Sequence, residues 1–322
     1  MRRCARFTFP LFLLLSFPIA SWSADGWPSR PLRIVVPYAA GGNSDDIMRP
    51  VAQKLSDATG QPVLIENKPG GGTLIGTDYA AKAQPDGYTW LYVPAPFVVN
   101  PSVRSKLPYD SLRDFAPVTM VMKSPLVLVV NPNVPANSVA QLIALARSKP
   151  GALSFGSGLA GAGHLAGELM KSMAGIDMVH VGYKGSSPAM TDLIGGHIQL
   201  VFSTPSEAIP QVRGGRLRAL AVTALRRSST LPDLPTIDES GLKGFDVSVW
   251  GGIAAPAKTP REIVAGMHAQ LVRILALPEI KDRFRALGAE AVGDTPEEFG
   301  KFLRYQIEFW GKVVRQAKIK VD

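Results

Sequence analysis

The chain has 322 residues, 46% of them hydrophobic, with 35 lysines and arginines against 26 acids and a single cysteine. The basic residues are scattered, the longest cluster is Arg226-Arg227, and no basic stripe interleaves with aromatics, which argues against a nucleic-acid partner. Cys4 alone cannot form a disulfide within the chain, and no spacing among the four histidines makes a metal site.

The N-terminus reads as a secretory leader: Arg2, Arg3 and Arg6, then an apolar run from Phe7 to Ala20, then Ser21-Trp22-Ser23-Ala24. Pro10 and Pro18 break the apolar run, which is too short for a retained anchor. Cleavage after Ser23 puts Ser21 and Ser23 at the positions that require small side chains, and a periplasmic protein follows. It removes Cys4 and three arginines, leaving 32 basic residues against 26 acids, a net charge of +6. About 300 residues remain, enough for two lobes. No later segment is long and apolar enough to span a bilayer.

The chain then alternates strands, glycine turns and helices. Leu32 to Val36 is an apolar, β-branched run that reads as a buried strand. Gly41-Gly42 supplies a turn, and Asn43, Ser44 and Asp45 are helix-capping types ahead of a periodic segment from Ser44 to Thr59. A strand that enters a helix through glycines leaves backbone N–H groups unpaired at the helix start, a seat for an anion. Pro62 to Ile65 is the next strand, followed by a second glycine loop, Glu66 to Thr73, and a helix to about Ala83. Tyr88 to Val93 is a third strand; Pro94 to Pro117 reads as irregular.

Val118 to Val121 and Leu126 to Val130 are separate apolar runs, and the second opens a new series. It comprises a helix from Ser138 to Ser148, a strand at Leu153 to Phe155, a glycine loop from Gly156 to Gly163 and a helix from His164 to Ala174. A strand at Met178 to Val181 leads through Gly182 to Ser187 into a helix from Pro188. Strands at Ile198 to Ser203 and Leu217 to Thr223 flank a helix near Ser206 to Arg213. The tail holds an apolar run from Phe245 to Ala254 and helices starting at Pro260, Pro278 and Pro296, the last with an aromatic stripe read as core. The pattern predicts an α/β protein of two lobes with mostly parallel sheets. Lobe 1 spans 24–122 plus 248–322 and lobe 2 spans 123–247, with the ligand cleft between them.

Gly156-Ser157-Gly158-Leu159-Ala160-Gly161 matches a dinucleotide fingerprint formally, but Asp177 precedes its strand and cannot face a ribose, so no cofactor is implied. A periplasmic hydrolase using Ser157 is the alternative enzyme reading. The G-x-S-x-G pattern is not satisfied, however, and His164, seven residues on, is awkwardly placed as a base. His180, His197 and His268 read as isolated. Asp45 is either a first-turn acid stabilised by the helix dipole or a partner for a ligand ammonium.

Several strings in order resemble the receptors of tripartite tricarboxylate transporters, the Bug-type solute-binding proteins. They include Pro37-Tyr38-Ala39-Ala40-Gly41-Gly42 with Asp45 and Arg49, and Glu66-Asn67-Lys68-Pro69-Gly70. Further strings are His164-Leu165-Ala166-Gly167-Glu168, Val181-Gly182-Tyr183-Lys184-Gly185, Pro210 to Gly215 and Leu231 to Thr236. The resemblance implies a two-lobed, type II periplasmic receptor, expected as a monomer, that serves membrane permease subunits. Its ligand would be a di- or tricarboxylate, an acidic amino acid or an aromatic acid. Presentation of the ligand to a sensor kinase is the alternative destination. Carried onto this chain, Tyr38, Gly41, Gly42, Asn43, Ser44 and Asp45 form one jaw. Ser157, Gly158, Ala160, Gly161, His164, Lys184, Gly185 and Ser186 form the other. Tyr38 and Ala39 stand where the family often has Phe and Pro, and Leu159 and Ala160 where it commonly has Ser or Asn, so the ligand cannot be copied from a relative.

Overall fold

The computed structural model describes residues 26–158, 161–183, 185–228 and 231–316, so the expected leader lies outside the described residues. The chain begins β1 (Leu32–Val36), α1 (Asn43–Thr59), β2 (Val63–Asn67), α2 (Leu74–Ala81), β3 (Thr89–Pro94), α3 (Pro96–Val103) and β4 (Phe115–Pro125). It continues with β5 (Val127–Val130), α4 (Val139–Ser148), β6 (Ser154–Gly158), α5 (Ala162–Ala174), β7 (Val179–Tyr183) and α6 (Ser186–Ile194). After β8 (Leu200–Ser203), α7 (Pro205–Arg213) and β9 (Arg218–Val222) come β10 (Ser248–Pro256), α8 (Arg261–Ala276), α9 (Pro278–Ala286), β11 (Glu290–Ala291) and α10 (Pro296–Gln316).

The strands form two sheets, of order β11-β4-β10-β3-β1-β2 and β7-β6-β8-β5-β9. Each heads an α/β lobe. The expectation of mostly parallel sheets needs correction. Parallel pairing is confined to β1 with β2 and β3, and to β6 with β7 and β8. The strands that carry the chain between lobes, β4, β5, β9 and β10, make antiparallel pairs. A connection that leaves one sheet to enter the other has no crossover helix to turn it parallel, so the returning strand runs against its neighbours.

Local sequence accounts for most elements. On α1, Ile47, Met48, Val51 and Leu55 are fully buried, spaced as one face of a helix, and Gly60 closes it with φ 67°. Ser138 caps α4 by accepting from the Gln141 N–H. The aromatic stripe of α10 buries Phe299 and Trp310, and Trp250 packs edge-on to Phe299 and Phe302. The stretch read as irregular contains α3, which was hidden by Pro96 at its start and Pro101 within it. The runs around Val118 belong to a single long strand, β4, that stays paired with β10 as far as Pro125.

The pairing directions fix where the loops lie. In the first sheet β1 to β4 run the same way, so the loops after β1, β2 and β3 share the edge where β4 leaves and β10 enters. In the second sheet β6 to β9 run the same way, so their C-terminal ends share the edge where β5 enters. Leu126 alone separates β4 from β5, which brings the two edges face to face. Buried Thr223 ties both crossings together, exchanging backbone bonds with Leu126 and Val247 while its hydroxyl lies 2.8 Å from the Leu126 nitrogen and 2.5 Å from the Val247 oxygen.

Candidate ligand-binding site

The first jaw is the turn between β1 and α1. Its helix starts one residue earlier than the capping types suggest. Gly42 is the N-cap, and its carbonyl accepts from Asp45 and Asp46, so the Asn43 and Ser44 amides precede the first intrahelical bond. The turn is organised backwards from Asp45, which is 3% exposed. Asp45 Oδ2 accepts from the Gly41 amide at 2.9 Å and from Arg49 Nε and Nη2 at 3.0 and 2.8 Å. Its Oδ1 accepts from Asn67 Nδ2 at 2.8 Å, and the same amide group donates to the Tyr38 carbonyl at 3.1 Å. Burial pushes the Asp45 carboxyl up, but hydrogen bonds from Asn67, Gly41 and Arg49, with the guanidinium charge, hold it below its ordinary value.

Gly41 takes φ +83°, which a side chain would strain. Its amide is committed to Asp45. Open donors in this turn are therefore the Asn43 and Ser44 amides at the positive end of the α1 dipole. Beneath them Tyr92 is buried on β3, its hydroxyl bonded to Ser44 and pushed up to about 12 by burial. Tyr38 is raised above its usual range by burial and by Tyr92.

The second jaw is built differently. Gly158 ends β6 and Gly161 caps α5, its amide donating to the Gly158 carbonyl at 3.2 Å. A Cβ on Gly158 would lie 3.8 Å from the Gly185 Cα, so the loops after β6 and β7 touch along their glycines. Gly156, expected to turn the chain, sits inside β6. It is glycine because a Cβ there would meet Ile198 and Tyr183 at 2.5 and 2.9 Å. Gly163 lets α5 approach the second sheet, where a Cβ would stand 2.9 Å from the Phe202 carbonyl and 3.3 Å from the Ser157 Cβ.

Two polar groups occupy this jaw. Ser157, 5% exposed, bonds His180 Nε2 through its hydroxyl at 2.8 Å. His180 stacks on His164 at 3.7 Å between centroids, with the planes 9° apart. The expectation that His180 is isolated is thus overturned: β6 and β7 pair in parallel, which sets His180 beside Phe155 and within reach of Ser157. Burial, His180 and Lys171 lower His164 from 6.5 to about 4, and burial lowers His180 as well. The other group is Glu207, in the first turn of α7, which accepts from Ser186 Oγ and Ser203 Oγ at 2.7 Å each.

Of the residues expected in the site, Tyr38, Gly41, Gly42, Asn43, Ser44 and Asp45 gather at one sheet edge. Ser157, Gly158, Gly161, His164, Gly185 and Ser186 gather at the other. Ala160 and Lys184 lie outside the described residues. Asn67, Tyr92, His180 and Glu207 escaped the sequence reading. Parallel pairing of the first two strands places Asn67 opposite Val36, a register the β-loop-α rhythm already implied. Thr204-Pro205-Ser206-Glu207 is a helix-start pattern that pointed at Glu207.

Residues 47–319 match the family described as tripartite tricarboxylate transporter family receptor. The chain is 36% identical to Protein BugT of Bordetella pertussis over 97% of this chain and 96% of that one. Among solved structures, R. palustris Rpa4515 with adipate shares 35% identity and a TM-score of 0.79 over 91% of this chain and 99% of that one. MatC from Rhodopseudomonas palustris with bound malate shares 28% identity and a TM-score of 0.73 over 89% of this chain and 100% of that one. With its two lobes, facing glycine loops and match along most of its length, this chain belongs to the family of tripartite tricarboxylate transporter receptors.

Proposed function

We propose that the protein is a periplasmic receptor that closes on one carboxylated small molecule and delivers it to membrane permease subunits. The observation that carries this reading is the facing of the two sheet edges, each ending in glycine turns that lead into helix N-termini. In the first jaw the ligand carboxylate takes the Asn43 and Ser44 amides, with Gly42 and Tyr38 shaping the approach. In the second, Ser157, Gly158, Ala160, Gly161 and His164, with Lys184, Gly185 and Ser186, close over the rest. Relatives with adipate and malate bound support a carboxylate ligand. The lobes we assign are 24–122 with 248–322, and 123–247, joined at Thr223 and Leu126. A ligand that touches both lobes only when they are shut shifts the population toward the closed state.

The chain acts by binding, as a monomer and without chemical conversion. Among the described residues, Ser157 beside His180 is the arrangement that favours a second reading, acyl transfer from a serine activated by an imidazole. Ester and amide turnover by the purified chain, lost in Ser157→Ala, would establish that reading instead. The receptor reading is tested by thermal shift of the mature chain against organic acids and acidic amino acids, since a ligand bound only by the folded state raises the melting temperature. Stabilisation by one acid class, with no turnover, is expected. A melting temperature unmoved by every acid at millimolar concentration would overturn the proposal.

A further inference from the structure

Ser186 opens α6 and Glu207 stands in the first turn of α7, each just past a strand end at the edge that faces the first lobe. Ser186 Oγ donates to Glu207 Oε1 and Ser203 Oγ donates to Oε2, both at 2.7 Å. The direction of both bonds follows from chemistry, because a carboxylate oxygen only accepts. Ser203 is buried, whereas Ser186 is exposed. With its one proton committed to Glu207, the Ser186 hydroxyl presents only lone pairs to an incoming ligand. Among the described residues no lysine or arginine forms an ion pair with Glu207.

The acid of the opposite jaw offers a contrast. Both Asp45 oxygens are occupied, and Arg49 lies against it. Asp45 is buried with its charge already matched by Arg49, so the acceptor side of recognition falls to Ser186 and Glu207. We propose that Glu207, acting through Ser186, makes this receptor select acids that also carry a hydrogen-bond donor, a hydroxyl or an ammonium group, over plain acids of the same carbon count. The inference rests on the carboxylate-receptor reading above. A second bare carboxylate at this place would set oxygen lone pairs against the Ser186 lone pairs and its charge against Glu207. A hydroxyl or ammonium donates to Ser186 Oγ instead, and a cation gains the attraction of Glu207 as well. Glu207 is a positioning residue: it fixes which way the Ser186 proton points.

Matched pairs test this on the mature chain by calorimetry: succinate against L-malate and L-aspartate, glutarate against L-glutamate, adipate against L-2-aminoadipate. At the carbon count the receptor accepts, the donor-bearing acid should bind at least about tenfold more tightly than the plain one. Glu207→Gln removes the charge and lets the amide donate to Ser186, whose own proton then turns to the ligand. The preference should shrink severalfold or reverse, and Glu207→Asp should restore part of it. A purely structural loss would weaken every acid alike and leave the ratio unchanged. Should Glu207→Gln fail to fold, Ser186→Ala, at an exposed side chain, must erase the preference. Equal affinity within pairs, or a ratio unmoved in both variants, overturns the inference while leaving a carboxylate receptor standing. If neither plain nor donor-bearing acids bind, the receptor reading falls first.

Discussion

The two jaws solve one problem by different means. In the first, a single buried carboxylate gathers Gly41, Arg49 and Asn67, so charge is neutralised internally and the turn is held from behind. In the second, glycine loops pack directly on each other, and the polar groups are side chains whose proton positions depend on His180 and Glu207. Backbone amides at a helix start recognise negative charge without regard to the rest of the molecule. Side-chain hydroxyls with assigned donors discriminate. On the reading proposed above, the first jaw would secure the carboxylate and the second would decide which carboxylate it is.

The sharpest way to break this contrast is Asp45→Ala. It leaves the Gly41 amide and the Asn67 side chain without their acceptor and strands Arg49 beside them. Removing one partner of a buried network of this kind costs about 3 kcal/mol or more. Urea unfolding should show that loss, and calorimetry a fall in ligand affinity beyond about a hundredfold, because the amides proposed to bind the carboxylate lose their alignment. Asp45→Asn, which keeps the shape and one acceptor oxygen, should lie between. If Asp45→Ala bound ligand normally, the turn would be held by something other than its acid.

The second jaw is probed by Gly163→Ala. The new methyl would press on the Phe202 carbonyl at 2.9 Å, backbone that cannot swing aside, so α5 must lift from the second sheet and draw His164 away from His180. A destabilisation of about 1–3 kcal/mol is expected, with a further loss of affinity as the His164–His180 stack opens. The first-lobe counterpart is Gly251→Ala, whose methyl would collide with the Tyr92 ring and displace the hydroxyl under Ser44. Comparable stability losses with different effects on ligand preference would confirm that the jaws divide the work as described: Gly251→Ala weakens all acids, Gly163→Ala alters their order.

Sequence alone carried the backbone of this picture further than its side chains. Strand, glycine turn and helix recur with turn chemistry so regular that Gly41, Gly158 and Gly185 were expected past strand ends, and the structure has them at or beyond strand ends. What stayed hidden were contacts made across the sheets. Asn67 reaches Asp45 over 22 positions, His180 meets Ser157 over 23, and Glu207 meets Ser186 over 21. Each pair joins segments that meet only once the sheet has formed, Ser186 and Glu207 even across the intervening β6, so periodicity within one segment cannot reveal it. α3 was missed for a different reason: prolines at 96 and 101 are tolerated where the missing N–H groups have no helical partner to lose or the chain bends, and local propensity spoke against a helix that tertiary packing imposes.

The stacked histidines give the second jaw a pH dependence above 4, a range in which Asp45 of the first jaw, held below its ordinary value, stays charged. His164 is held near 4 when folded and returns to its ordinary 6.5 when unfolded. Between those values the unfolded chain binds more protons, so stability rises with pH through this window and is lost as pH falls from 6.5 toward 4. On the same helix Glu168 lies 4.0 Å from His164 Nε2 and pairs with Lys171 at 3.1 Å. The loss should be of order 2 kcal/mol, read as a falling melting temperature between pH 7 and 4.5, and His164→Gln should flatten that slope. A wild-type slope unchanged by the substitution would move the titration to another group.

The smallest expected effect distinguishes two accounts of the first jaw. Arg49 places Nε and Nη2 on the same Asp45 oxygen and a longer 3.3 Å bond on Asn67 Oδ1, yet its side chain is 54% exposed. Water and salt screen such a guanidinium, and a pair of this kind contributes about 0.5–1 kcal/mol. Arg49→Ala should therefore cost far less than Asp45→Ala, and the cost should shrink in 0.5 M salt, where the Debye length falls to about 4 Å. The turn survives because Gly41 and Asn67 still meet the carboxylate, whose acid strength falls as the nearby positive charge is lost. Were Arg49→Ala to cost as much as Asp45→Ala, neutralisation by the ion pair rather than the hydrogen bonds to Gly41 and Asn67 would be what shapes the loop, and the jaw's affinity for a carboxylate should then drop together with its stability in the same salt-dependent way.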